Sequence, residues 1–252
     1  MKTDPLLQPF QLRHLTLRNR IMSTAHAPSY EEGGHPRDRY RMYHEEKAKG
    51  GIGLTIIGGS TNIAPDSPSV FGQLYAGDDS IIPWFKKLTD GVRAQGAAVM
   101  CQITHMGRRT AWDDGHWLPV AGPSGTRERA HRSFPKVMES EDITRIITQF
   151  ADAAKRCQQG GFDGIELLSH SHLLGQFLSP LINKREDDYG GSLDNRLRLT
   201  MQVLEAVRAA VGPDLILGMR VTGDELPSET EFVTTLVAKK SSITVPEIEA
   251  KE

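Results

Sequence analysis

The chain has 252 residues, of which 38% are hydrophobic and 25% charged, and its formal net charge is −2. These values are ordinary for a globular protein and give no basic footprint for nucleic acid or an anionic membrane. No apolar run approaches the roughly 18 residues that a membrane-spanning helix needs, and the N-terminus lacks the apolar segment of a signal peptide. We therefore expect a cytoplasmic protein with neither nucleic acid nor a membrane as its partner. The sequence does not set its oligomeric state.

Strands and helices alternate along the chain, which is typical of a parallel sheet with crossover helices. The predicted strands are short apolar runs at residues 21–24, 53–57, 97–104, 164–168 and 215–221. Their near-continuous apolar character indicates strands that are covered on both faces. Cys101 and Cys157 fall inside a predicted strand and a predicted helix, so a disulfide framework is not expected.

Apolar residues with a helical period predict helices at residues 38–49, 83–94 and 141–159, and a further helix after residue 192. Ser140 and Ser192 are well placed to cap the last two of these helices. The predicted buried face of the final helix has apolar residues three or four positions apart: Leu193, Leu197, Met201, Leu204, Val207 and Val211. Residues 109–137 lack periodicity, which indicates a long inserted loop over the mouth of the sheet.

Polar residues and glycines cluster where the predicted strands end: His26, Gly58, Gln102, His105, His170, His172 and Arg220. In a barrel of parallel strands, the carboxyl ends meet at one face and carry the active site. Gln102 interrupts an apolar strand, where a buried amide needs hydrogen-bond partners. Arg220 interrupts another, and a buried guanidinium is costly unless it meets an anion or a carboxylate such as Asp224.

The most informative stretch is residues 176–199, which read QFLSPLINKREDDYGGSLDNRLRL. Three further motifs occur in order along the chain: Asn19-Arg20-Ile21-Met22, Gln102-Ile103-Thr104-His105-Met106-Gly107-Arg108 and Gly218-Met219-Arg220-Val221-Thr222. Together these motifs resemble the Old Yellow Enzyme superfamily of NADH:flavin oxidoreductases. The branch that they resemble most contains 2,4-dienoyl-CoA reductase, trimethylamine dehydrogenase and N-methylproline demethylase.

The resemblance implies a fold and an activity. The fold is a (β/α)8 TIM barrel, and the cofactor is FMN. The reaction is transfer of a hydride between flavin N5 and either an activated alkene or an N-methyl amine. NAD(P)H is implied as a possible electron donor.

The resemblance also implies which residues hold the flavin. Gln102 would bond the pyrimidine edge of the ring, and Arg220 would lie near the N1 and O2 atoms, where a positive charge stabilises the reduced anion. Gly58 resembles a small residue whose backbone approaches the ring. The backbone of Ala25, His26 and Ala27 would contact the ring from the other side. Taken alone, each of these residues also has an ordinary structural explanation.

His170 and His172 are the candidate catalytic residues. In most of the superfamily a tyrosine follows the flavin-contacting histidine or asparagine, and His172 stands where that tyrosine is expected. A histidine can also deliver a proton or hold an amine or a carboxylate, since its ordinary pKa lies near 6.5. Because His172 replaces the expected tyrosine, the substrate class stays open between an alkene and an N-methyl amine.

The resemblance runs from about residue 6 to about residue 225. We therefore expect a partial FMN-binding barrel domain at residues 1–225, with about five βα units and an inserted loop at 109–137. Residues 226–252 resemble nothing in the family and are expected to form a divergent tail after a C-terminal truncation. The loops that usually bind phosphate in such barrels follow strands seven and eight, which a barrel of about five βα units lacks. The cysteines that hold an iron–sulfur cluster in this branch are also absent from the sequence.

Two alternatives follow from the same residues. A truncated barrel could bind FMN poorly and be catalytically silent, associating through its open sheet edge. A metal-dependent hydrolase could use His170 and His172 with Glu166 and His105, although their spacing is not diagnostic of metal ligation. We therefore expect no metal site.

Overall fold

The computed structural model describes residues 4–67, 69–70, 72–109, 119–128, 133–223 and 225. Within them, the strands are β1 (Phe10–Leu12), β2 (Leu15–Leu17), β3 (Met22–Ser23), β4 (Leu54–Asn62), β5 (Ala98–Thr104), β6 (Ala121–Gly122), β7 (Lys136–Val137), β8 (Gly164–Ser169) and β9 (Ile216–Val221). The α-helices are α1 (Asp38–Lys49), α2 (Ile82–Ala94), α3 (Ser140–Gln159), α4 (Leu173–Leu178) and α5 (Leu193–Val211). Single 3-10 turns lie at Pro5–Leu7 and Asp79–Ile81.

The central feature is a five-stranded parallel sheet in the order β3-β4-β5-β8-β9. Strands that lie side by side in this sheet also follow one another along the chain, apart from β6 and β7, which form a separate sheet. Helices connect the successive strands. That arrangement is the repeating unit of a (β/α)8 barrel. The predicted fold class, an incomplete TIM barrel of about five βα units, is confirmed. The predicted tail at residues 226–252 and part of the inserted loop at 109–137 lie outside the described residues.

The two faces of the sheet carry different cores. The larger core lies between the sheet and its helices and includes Val99, Cys101, Ile165 and Leu167. A smaller cluster lies on the inner face, around Met100 and other apolar residues near the strand starts. The sequence did not predict the hairpin of β1 and β2, whose leucines pack into this inner cluster. The hairpin closes one end of the inner face and leaves the carboxyl ends of the strands as the accessible end.

The helix boundaries agree closely with the predictions, but two details were wrong. Ser140 does not cap α3, because it is the first residue of the helix and Glu139 is the N-cap, whose backbone N–H donates to Asp142 Oδ2 at 3.0 Å. The predicted face of α5 is also wrong in its first half, where Leu193 and Met201 are exposed. The helix instead buries a stripe through Leu199, Thr200, Val203, Val207 and Val211.

The cap of α5 is as predicted, with the Ser192 hydroxyl accepting from the Asn195 N–H at 3.3 Å. Cys101 and Cys157 are both buried as free thiols. Among the described residues, no helix combines the length and the apolar character that crossing a membrane requires.

Candidate functional site at the carboxyl end of the sheet

Strand β4 contains a bulge at the level of the candidate site. Its register against β5 shifts between Ile57 and Thr61. Gly58, Gly59 and Ser60 all have positive φ, at 103°, 50° and 81°. A Cβ on Gly58 would overlap Thr61 Oγ1 and approach the Gln102 carbonyl. Gly58 is therefore required by the bulge itself, which turns the Ser60 N–H towards the neighbouring strand.

Gln102 lies on the inner face of β5 and is only 2% exposed. Its Oε1 accepts a hydrogen bond from the Ser60 N–H at 2.9 Å, and its Nε2 donates to Glu166 Oε1 at 2.6 Å. A buried amide needs hydrogen-bond partners, and Gln102 has one on each neighbouring strand. An amide group has four hydrogen-bonding positions, so one acceptor and one donor position remain after these two bonds.

Arg220 lies on the inner face of β9, next to the same carboxylate. Its Nε is 3.7 Å from Glu166 Oε1, and 29% of its side chain is exposed. Within the part of the chain that the structure describes, its guanidinium makes no hydrogen bond. Asp224, the partner considered from the sequence, lies outside the described residues. Gln102, Glu166 and Arg220 therefore converge on one point, and we call them the inner-face group.

Sequence reasoning missed the role of Glu166, although the same signal was present. Glu166 interrupts the apolar strand β8 just as Gln102 interrupts β5 and Arg220 interrupts β9. Residues at alternate positions of a strand share a face, and Glu166 pairs directly with Gln102 across the sheet. A search for every polar residue inside an apolar strand would have found it.

Residues 25–27 lie beside the bulge in β4. A Cβ on Gly59 would overlap the backbone of His26 and Ala27, so only glycine permits this close approach. Ala25 is buried in the inner-face cluster. The His26 ring points towards α1, where its Nε2 lies 2.7 Å from the Tyr43 hydroxyl. The backbone of this segment thus lies near the site, whereas the His26 side chain contacts the helix.

His170 and His172 follow β8 but have different surroundings. His170 is half-buried, and its Nδ1 lies 3.0 Å from the Thr222 hydroxyl at the end of β9. His172 is only 4% exposed, with Nδ1 at 3.1 Å from Thr104 Oγ1 and Nε2 at 3.4 Å from Arg109 Nη1. Since a guanidinium only donates, Nε2 accepts and Nδ1 carries the proton. Burial, the positive charge of Arg109 and the neighbouring histidines lower the pKa of His172 well below its usual value.

His105 belongs to a closed network on the far side of β5. Its ring is fully buried, and Nε2 lies 3.3 Å from Asp66 Oδ1. Arg145 donates to both oxygens of Asp66, at 3.1 Å and 2.8 Å. Burial raises the pKa of Asp66, but the bonds from His105 and Arg145 outweigh it and hold that pKa well below its usual value. We call Asp66, His105, Thr104 and His172, with Arg109 and Arg145, the histidine group.

The charged loop at residues 183–196 has a structural role in this arrangement. Arg185 donates to the carbonyls of Pro123 and Met138, at 3.0 Å and 2.7 Å, and thereby attaches the loop to the inserted segment. Asn183 Nδ2 donates to two backbone carbonyls, both at 2.7 Å. These side chains satisfy the backbone rather than face the inner-face group.

Among the described residues, no group of three His, Cys, Asp or Glu side chains could hold a metal ion. The potential metal ligands named from the sequence are instead engaged with protein groups. Glu166 bonds Gln102, and His105 bonds Asp66.

The family model for the NADH:flavin oxidoreductase / NADH oxidase family matches residues 5–248. The chain therefore belongs to this FMN-dependent oxidoreductase family. It is 56% identical over 241 residues to a probable N-methylproline demethylase of Rhizobium meliloti strain 1021, covering 95% of this chain and 36% of that protein. It is 48% identical over 218 residues to a multifunctional alkene reductase/demethylase OYE of Caballeronia cordobensis, covering 86% of this chain and 32% of that protein. The chain thus spans about a third of the length of these curated relatives.

Two solved reductase structures share the fold. Morphinone reductase in complex with tetrahydroNAD superposes with a TM-score of 0.82 at 26% identity, covering 94% of this chain and 69% of that chain. A 2-naphthoyl-CoA reductase complex superposes with a TM-score of 0.83 at 28% identity, covering 94% of this chain and 38% of that chain. These superpositions confirm the barrel architecture expected from the sequence.

The inner-face group fits the polar edge of a flavin ring. That edge alternates hydrogen-bond acceptors and a donor, and the Gln102 amide has one free position of each type. The Arg220 guanidinium, with no hydrogen bond among the described residues, is a positive charge of the kind that an electron-rich ring edge can use. Arg220 is partly exposed at the carboxyl end of the inner face, and Gln102 is buried on the same face.

Proposed function

We propose that this chain forms the part of an FMN-dependent oxidoreductase that holds the flavin ring. The observation that carries the proposal is the convergence of Gln102 and Arg220 on one inner-face point. A partly exposed guanidinium that donates no hydrogen bond to the described residues is suited to an anionic or electron-rich ligand. Membership of the family supports FMN as that ligand.

Each group has a distinct task in this proposal. Bound FMN supplies hydride transfer at its N5 atom. Gln102 orients the pyrimidine edge with its remaining donor and acceptor positions, and Arg220 stabilises negative charge beside it. The backbone of residues 25–27 and the bulge at Gly58 border the ring.

His170 is the better placed of the two candidate catalytic histidines. It is half-buried at the strand ends, and the Thr222 hydroxyl at 3.0 Å orients its ring. It can therefore hold a substrate or move a proton at the mouth of the barrel. His172 can act on a substrate only if its bonds to Thr104 and Arg109 break, and we assign it a supporting role beside His170.

The proposed substrates are an activated alkene, which would be reduced, or an N-methyl amine, which would be oxidised. Relatives named as a demethylase and as an alkene reductase/demethylase support both classes. We propose NAD(P)H as the electron donor and the cytoplasm as the location, where two free thiols would stay reduced.

Titration of the purified 252-residue chain with FMN, followed by quenching of flavin fluorescence, tests the proposal. We expect saturable binding that weakens at least about tenfold in Arg220→Met and in Gln102→Met, since each loses a charge-assisted or buried hydrogen bond worth about 1.5–3 kcal/mol. Lys155→Met is the matched control for charge loss, because Lys155 is exposed on α3 and pairs only loosely with Asp152 at 3.5 Å.

Two results would contradict the proposal. One is a chain that does not quench FMN fluorescence at any accessible concentration. The other is binding that is equally strong in the wild type, Arg220→Met and Gln102→Met, which would place the flavin elsewhere. Turnover of an enone or of an N-methyl amino acid with the bound flavin then decides between the two substrate classes.

A further inference from the structure

Glu166 is a carboxylate inside the barrel wall, at the centre of the inner-face group. Its side chain is 12% exposed, and its Oε1 is shared between Gln102 Nε2 at 2.6 Å and Arg220 Nε at 3.7 Å. A largely buried carboxylate is costly unless hydrogen-bond donors or opposite charges surround it. The sheet register brings to it Gln102 as a hydrogen-bond donor and Arg220 as an opposite charge.

The first consequence concerns the orientation of the Gln102 amide. The Ser60 N–H can only donate and the Glu166 carboxylate can only accept, so the amide oxygen must face β4 and the amide nitrogen must face β8. Two anchors of opposite type on the two neighbouring strands exclude the flipped amide. The side chain therefore presents its remaining donor and acceptor in a fixed order along the inner face.

The second consequence concerns the charge of Arg220. The carboxylate is close enough to offset the positive charge, yet the 3.7 Å separation leaves the guanidinium without a hydrogen bond to it. The N–H groups of Arg220 thus stay available to a ligand, while the negative charge behind them moderates the field that the ligand experiences. Removing that negative charge increases the attraction of the site for anions.

We propose that Glu166 is the positioning residue of this site: it fixes the donor and acceptor order of Gln102 and moderates the charge of Arg220 towards the flavin. The role deepens the function proposed above and rests on it for its flavin part. The part that concerns Gln102 holds in the flavin-free protein. The two parts are therefore tested separately.

The flavin-free test uses side-chain amide NMR of the 15N-labelled chain. The Gln102 signals are identified by their disappearance in Gln102→Met. We expect one Gln102 proton downfield of the other glutamine side chains and slow to exchange, because it is held in a short bond to a carboxylate. Glu166→Met should return it to the ordinary range with fast exchange, whereas an unchanged signal in Glu166→Met would overturn the proposal.

The flavin test compares dissociation constants for oxidised and reduced FMN, the latter measured anaerobically. Glu166→Gln keeps a hydrogen-bond acceptor beside Gln102 but removes the charge beside Arg220. We expect it to increase the preference for reduced over oxidised FMN by about tenfold, as the reduced anion gains most from the unopposed guanidinium. Glu46→Gln is the matched control, since Glu46 is an exposed residue of α1.

The outcomes separate the two proposals. FMN binding with the same redox preference in the wild type and Glu166→Gln would overturn the charge role and leave the flavin function standing. Absence of FMN binding in the wild type would contradict the flavin function, and the NMR result would still decide the role of Glu166 towards Gln102. If Glu166→Met does not fold, the wild-type Gln102 signal decides: an ordinary shift with fast exchange contradicts the proposal.

Discussion

Two sets of polar side chains lie at the carboxyl end of the same sheet and differ in how fully protein groups satisfy their hydrogen bonds. In the histidine group, His172 and His105 are buried and their polar atoms pair with protein groups. In the inner-face group, Arg220 is partly exposed and makes no hydrogen bond within the described part of the chain. The first arrangement stabilises the fold, and the second retains capacity for a ligand. Polar residue type alone does not distinguish them.

The largest expected effect concerns the carboxylate of the histidine group. Asp66→Ala removes the acceptor for buried His105 and for Arg145, and we expect the free energy of unfolding to fall by about 3 kcal/mol. Urea denaturation measures the change. Asp152→Ala removes an exposed carboxylate at 3.5 Å from Lys155 and should cost no more than about 0.5 kcal/mol. Equal effects of the two substitutions would contradict the contrast drawn between buried and exposed pairs.

His172 and His170 allow the same comparison within one loop. His172→Phe removes the buried bonds of His172 to Thr104 and to Arg109, so we expect a loss of about 2 kcal/mol in the free energy of unfolding. His170→Phe should lose about 1 kcal/mol or less but impair turnover, because His170 is half-buried at the mouth. Urea denaturation measures the stability of both variants, and a steady-state assay measures their turnover. Loss of turnover in His172→Phe without loss of stability would assign the catalytic role to His172 instead.

A buried histidine outside both groups predicts how stability depends on pH. Burial, with the charge of Lys47 and of His26, lowers the pKa of His44 to about 3. In the unfolded chain it titrates near 6.5, so the unfolded state binds more protons between about pH 6.5 and 3. The free energy of unfolding should therefore decrease as the pH is lowered from about 6.5 towards 3, by about 1.4 kcal/mol per pH unit for this residue.

Denaturation series from pH 6 to pH 5 measure this slope. His44→Leu should flatten it, while the lowered pKa of His172 preserves part of it. A slope that is identical in the wild type and His44→Leu would show that His44 does not titrate between the folded and unfolded states.

The smallest expected effect is on the inner face. Arg220→Met removes one member of a partly exposed ion pair at 3.7 Å, and Glu166 keeps its bond from Gln102. We expect the free energy of unfolding to change by less than about 1 kcal/mol. The same variant should lose at least about tenfold in FMN affinity. Urea denaturation and FMN titration of Arg220→Met together measure the two changes. A loss of stability comparable to that of Asp66→Ala would make Arg220 a structural residue.

Much of this fold could be predicted from the sequence because its signals are local. Short apolar runs, separated by segments with a helical repeat of apolar residues, predicted the five strands of the main sheet in the correct order. The Ser192 cap predicted the start of α5. Polar residues inside apolar strands made Gln102 and Arg220 candidate site residues, since the alternation of side chains along a strand is a property of the strand itself.

Only the tertiary structure decided which of these residues meet. The register of β4 on β5 and of β8 on β9 joins segments far apart in the chain, and that register places Ser60 and Glu166 on either side of Gln102. Packing of α5 against its neighbours likewise selected the stripe through Leu199 rather than the one through Leu193. The sequence specifies which polar side chain stands at each position, but the hydrogen-bond partners of that side chain depend on pairings between distant strands.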